Sequence, residues 1–80
     1  HLFQAFPNPF QTHIHIEGPG NLTGELIFML YNSNGALITN KNLNSKFPER
    51  IDVPVDLPAG IYYYCIHYEN GTESGKLIKQ

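Results

Sequence analysis

Eighty residues carry seven acids, five bases and four histidines, with 41% apolar and 12% aromatic side chains and a formal charge of −2. Such a chain buries roughly 60–65% of its unfolded surface, enough for a thin core and inconsistent with disorder. Near-neutrality without a basic cluster argues against nucleic acid or an anionic membrane surface as the main partner. No apolar run approaches the ~20 residues of a membrane-spanning helix, and the first residues lack the basic region and long apolar core of a secretory leader. The single cysteine cannot form an internal disulfide. Cys65 stands inside an apolar run and is expected to be a small buried hydrophobe.

In chain order, His1–Phe6 is a short segment, apolar at Leu2, Phe3 and Phe6. Pro7-Asn8-Pro9 excludes helix and makes a rigid bend, and Phe10 is placed to anchor that bend to the core. Residues 12–17 alternate, with Ile14 and Ile16 on one face and His13, His15 and Glu17 on the other, as in a half-buried strand. Gly18-Pro19-Gly20-Asn21 stops it. From Glu25 to Tyr31 both faces are apolar, so this strand is expected to be flanked on both sides. Asn32-Ser33-Asn34-Gly35 is a turn with the Asn-Gly hairpin signal at its tip. Ala36–Leu43 returns with a polar middle, which suggests a sheet edge. Asn44–Pro48 is loop.

Arg50–Asp56 alternates again and should turn Ile51, Val53 and Val55 inward, with the donor-less nitrogen of Pro54 facing away from a neighbour. Leu57-Pro58-Ala59-Gly60 bends the chain, because Pro58 fixes its own φ and Gly60 permits angles closed to other residues. Ile61–Ile66 is uncharged for six residues, and is expected to be a central strand covered on both sides. Alternation sets Tyr62, Tyr64 and Tyr68 on one face and Tyr63 on the other, with core packing as the main use of the ring faces. Glu69-Asn70-Gly71-Thr72 is a second Asn-Gly turn, and Ser74–Lys79 closes the chain as a short, exposed strand. No segment has helical periodicity. The expected fold is all-β, an immunoglobulin-like β-sandwich of about seven short antiparallel strands.

Little here resembles catalysis. His13, His15 and Glu17 share a strand face, but alternation explains that spacing without a metal, and no third ligand is secured. Asn21-Leu22-Thr23 and Asn70-Gly71-Thr72 match the glycosylation acceptor pattern at turns that want Asn and Gly for backbone reasons. Asp52, Asp56, Glu69 and Glu73 are scattered over strand ends and loops, and there is no phosphate loop and no Cys-x-x-Cys. The residues themselves imply no enzyme, no cofactor and no metal.

Four motifs, taken in order, carry a resemblance: Phe6-Pro7-Asn8-Pro9-Phe10, Leu30–Ile38 with Asn34-Gly35 at its centre, Leu57-Pro58-Ala59-Gly60-Ile61-Tyr62, and Lys76-Leu77-Ile78-Lys79. Over essentially the whole chain the sequence resembles the type A C-terminal sorting domain of the type IX (Por) secretion system of Bacteroidetes. It departs from that family's pattern at Phe6, where Tyr is usual, at Asn32, where Asp is usual, and at Ala36, where Arg is usual. The middle departures bear on a turn contact or a recognition contact.

The resemblance implies a single domain over residues 1–80, a fragment of a larger secreted precursor. It implies a signal that directs attached cargo across the outer membrane, is then removed or processed by a sortase, and performs no reaction. The implied partners are the translocon and sortase proteins of the outer membrane and the precursor's own N-terminal cargo. The implied route is through the periplasm to the cell surface or medium. Lys76, Leu77, Ile78 and Lys79 are expected to carry recognition, with the Leu/Ile pair anchoring the strand and the lysines accessible. Pro7, Asn8, Pro9, Phe10, Asn34, Gly35, Leu57, Pro58, Ala59, Gly60 and Tyr62 are expected to be chiefly structural. The competing expectation is a non-catalytic carbohydrate- or protein-binding module on a secreted enzyme or adhesin, which would want an exposed aromatic platform.

Overall fold

Ile14 and Ile16 are fully buried while His13, His15 and Glu17 line the opposite side of their strand, and the same two-residue period builds both sheets. The computed structural model describes residues 1–80. It has seven strands and no helix: β1 (Gln4–Phe6), β2 (His13–Glu17), β3 (Ile27–Asn32), β4 (Leu37–Asn42), β5 (Glu49–Asp52), β6 (Gly60–Tyr68) and β7 (Gly71–Lys79). One antiparallel sheet has the order β1-β2-β5 and the other β4-β3-β6-β7. Their inner faces close over one core, in which Phe3, Ile14, Ile16 and Ile51 meet Phe28, Leu30, Tyr62, Ile66 and Leu77. This is a β-sandwich. Its strand order matches the immunoglobulin arrangement, with the fourth strand beside the third.

Both Asn-Gly turns join hairpins, β3 to β4 and β6 to β7. The polar strand β4 lies at a sheet edge, as its composition suggests. The acids scattered in sequence have structural work. Glu73 accepts the N–H groups of Leu2 at 2.6 Å and Phe3 at 3.1 Å, tying the first residues to β7. Glu69 accepts the Thr23 hydroxyl, and the buried Glu49 accepts the Asn44 N–H at 2.6 Å across its loop. Arg50 donates to Asp52 at 2.8 Å, and that bond together with the guanidinium charge holds the Asp52 carboxyl below its usual pKa.

Several expectations are corrected. Strand β6 is interior to its sheet, but only one of its faces is covered: Tyr62 and Ile66 are buried while Ile61 and Tyr63 stand 44% and 47% exposed. A two-layer sandwich has no third layer to cover the back. For the same reason β3 buries Phe28 and Leu30 and leaves Ile27, Met29 and Tyr31 half-buried, flanked only by their own sheet. Cys65 is half-buried on that open face rather than in the core. Val55, expected inward, is fully exposed. The ladder stops at Asp52, and Val53 makes a last bond to Thr12 before Pro54, which has no N–H to continue it. The closing strand is nine residues long, and Leu77 within it is buried.

Candidate functional site

Strand β6 begins where Gly60 adopts a φ of +148°, an angle that L side chains rarely adopt. Two residues on, the Tyr62 hydroxyl reaches back and donates to the Pro58 carbonyl at 2.6 Å. A tyrosine bonded to the backbone just before its own strand pins the corner where the chain passes between sheets. Tyr62 pairs with Leu77 on one side and Asn32 on the other, so three of the four motifs share one row of the sheet.

The fourth motif joins them at the edge. Phe10 is fully buried with its ring set edge-on to Tyr62, centroids 6.0 Å apart. Its N–H donates to the Ile78 carbonyl at 2.8 Å, and its carbonyl accepts the Gln80 N–H at 2.9 Å. The Ile78 N–H donates to Asn8 Oδ1 at 2.9 Å. Asn8-Pro9-Phe10 therefore lies as a short parallel addition along the free edge of β7. A sheet edge otherwise offers unpaired backbone groups, and this segment satisfies both of those on Ile78.

The middle motif closes the same end. Asn32 Oδ1 accepts the N–H groups of Asn34 at 2.9 Å and Ala36 at 3.0 Å, while its carbonyl accepts the Gly35 N–H. The Asn32 departure from the family pattern keeps the turn contact, since its amide oxygen accepts as a carboxylate would. A depression of about 220 Å³ separates Asn32, Ser33 and Ile38 from Leu57–Tyr62. Motifs spread over seventy residues meet at one end of the sandwich.

The last motif divides into four different environments. Lys76 is exposed, Leu77 is 2% exposed, Ile78 is 43% exposed on the open face, and Lys79 folds its ammonium back onto the Gln80 carbonyl at 2.7 Å. Leu77 alone anchors the strand; Ile78, expected to share that role, points out.

A family profile, the secretion system C-terminal sorting domain, matches residues 4–80. The chain belongs to this family. It is accordingly a C-terminal sorting signal of the type IX secretion system, a family of addresses rather than catalysts, and implies export to the cell surface or medium. No curated protein matches the chain. In the sorting domain the residues considered for metal are disposed otherwise: the rings of His13 and His15 stand 4.7 Å apart, His13 meets the Thr12 hydroxyl at 3.1 Å and His15 packs on Phe6. No three His, Cys, Asp or Glu side chains gather as a ligand set. The largest cleft, about 620 Å³, lies between residues 1–5, Glu17 and Gly18 on one side and Tyr64 of β6 and Ser74 of β7 on the other, away from the motif end.

The sequence reading missed how Tyr64 is used. It pairs with Gly75, and a Cβ at that glycine would stand 2.7 Å from the ring. The aromatic face covers a strand position that has no side chain of its own. Burial, and then the charge of Glu73, push the Tyr64 hydroxyl above its usual pKa of 10.0. Above that pH the unfolded chain loses this proton first, so stability present below pH 10 is lost as pH rises through the folded value. Tyr64→Phe should therefore give a shallower fall in urea midpoint than the wild type between about pH 8.5 and about pH 11. Equal slopes would show that Tyr64 does not contribute.

Proposed function

We propose that the domain is the address by which the periplasmic precursor is passed to the outer-membrane translocon, after which a sortase removes it and the cargo is released or joined to lipopolysaccharide. The cargo precedes it in the same precursor, and the domain performs no step of its own. Recognition centres on Lys76–Lys79, with Lys76 and Ile78 as the side chains that reach a partner. One observation carries this reading: four motifs that have no catalytic geometry nonetheless converge on one end of the sandwich, where two of them meet the strand that carries the last. The remaining motif residues build and brace that end of the sandwich. The binding-module alternative wants an exposed aromatic platform, whereas the open face presents one well-exposed aromatic ring, Tyr63, beside a half-buried Tyr31.

The test attaches residues 1–80 to a reporter carrying a signal peptide, in a bacterium with the type IX system. The fusion should reach the surface or medium, and the reporter without the domain should stay in the periplasm. Lys76→Glu with Lys79→Glu, both on polar side chains outside the core, should hold the fusion back while the domain still melts as the wild type does. Retention of the wild-type fusion would remove the sorting function. Export of the doubly substituted fusion would move recognition off the two lysines.

A further inference from the structure

Six large apolar side chains are conspicuously exposed, and four of them are Leu37, Ile61, Tyr63 and Ile78. Strand register puts all four on the open face of the four-stranded sheet. Leu37, Tyr31, Tyr63 and Lys76 form one row across β4, β3, β6 and β7, and Ile61 and Ile78 pair in the next. At 43–49% exposure and roughly 200 Å² per side chain, the four leave on the order of 300–400 Å² of apolar surface open. Patches of that size on a monomer commonly serve binding.

The charges on the face select the occupant. By the same register its other members are Ile27, Met29, Asn40, Asn42, Cys65, His67, Thr72 and Ser74, so the face holds Lys76 and no carboxylate. The protein's close ion contacts, Arg50 with Asp52 and His1 with Glu73, lie elsewhere and leave Lys76 without an acidic partner. A second copy packed on this face would bring another lysine and no counter-charge. It would also bury about half of the ~800 Å² per partner usual in a specific complex. One isolated lysine is too little to hold an anionic lipid surface.

We propose that this end of the open face, centred on Leu37, Tyr63, Ile61 and Ile78, docks an apolar protein surface that presents a carboxylate to Lys76. This deepens the sorting reading and rests on it. Small area and one charge pair suit a contact that must form and release, as transient complexes do. Because Ile78 is held by Asn8 and Phe10 and Tyr63 by its pairing to β3 and β7, the patch is presented by rigid strands.

The experiment uses the same reporter fusion with Leu37→Thr/Tyr63→Thr, Lys76→Glu, Lys76→Arg and Val55→Thr, an exposed apolar residue off the face. Thermal melts of each 80-residue chain accompany the export measurements. Wild type and Val55→Thr should be exported alike, while Leu37→Thr/Tyr63→Thr and Lys76→Glu should fall at least about tenfold without a lower melting temperature, and Lys76→Arg, which keeps the charge, should recover much of what Lys76→Glu loses. If the wild type is exported and both face variants match it, the docking surface is refuted and the sorting function survives. If the wild type is retained, the sorting reading fails first and this inference with it. Sedimentation of the wild-type chain as a dimer, with Leu37→Thr/Tyr63→Thr monomeric, would give the face to a second copy and overturn the proposal.

Discussion

Phe10→Ala should remove a large part of the domain's stability and unfold it well below the temperature at which the wild type melts. The side chain is fully buried, packs on Tyr62, and belongs to the segment that closes the edge of β7. Emptying such a site costs about 3–5 kcal/mol, the lost transfer energy plus the cavity that remains. A domain of this size has roughly 4–12 kcal/mol in all. The melting temperature should fall by about 12 °C or more, at ~4 °C or more per kcal/mol for a domain this small. Val55→Ala, on the most exposed apolar side chain, should stay within about 0.5 kcal/mol. Thermal and urea unfolding of the two variants decide it. A Phe10→Ala domain as stable as Val55→Ala would mean that the Asn8–Phe10 segment does not dock on β7 in solution.

The second large effect separates two neighbours. Leu77→Ala should cost about 2–5 kcal/mol, because Leu77 points into the core, and Ile78→Ala under about 1 kcal/mol, because Ile78 points out. Both lie in one motif and differ by one step of a two-residue period. Urea midpoints of the two variants measure the register of β7 directly: a reversed order of losses would show it displaced by one residue, and equal losses would show that Leu77 is not the side chain that anchors it. The contrast also governs how export experiments are designed. Deleting Lys76–Gln80 removes Leu77, the pairing of Phe10 to Ile78 and Gln80, and the Asn8 contact together. A truncated fusion that stayed in the periplasm would report a lost fold as readily as a lost address. Substitutions at Lys76, Lys79 and Ile78 change the presented surface and keep the strand.

Local chemistry was enough for much of the fold. The alternation of Ile14 and Ile16 with His13 and His15, the Asn-Gly turns at 34–35 and 70–71, and the polar middle of β4 fix strand faces, hairpins and an edge through short-range sterics and solvation. The order of the four motifs was legible too, and with it the family. Which apolar faces are covered was not legible. Ile61, Tyr63 and Met29 are as apolar as Ile66 or Phe28, and an uncharged run reads alike whether a second layer lies over it or a partner is awaited. Only the count of layers, two, decides that the back of the sheet is open. Val55 shows the same limit in reverse, since its alternation was correct and the strand simply ended three residues before it.

The sequence by itself determined an all-β domain, its turns and its membership of a sorting family, because these depend on residue types and on spacing along the chain. The tertiary structure decided that Asn8 and Phe10 hold Ile78, that Tyr62 ties one motif to two others, and that Leu77 is buried while Ile78 is presented. Those contacts join residues up to seventy positions apart, and no local propensity encodes which strand edge a distant segment will meet.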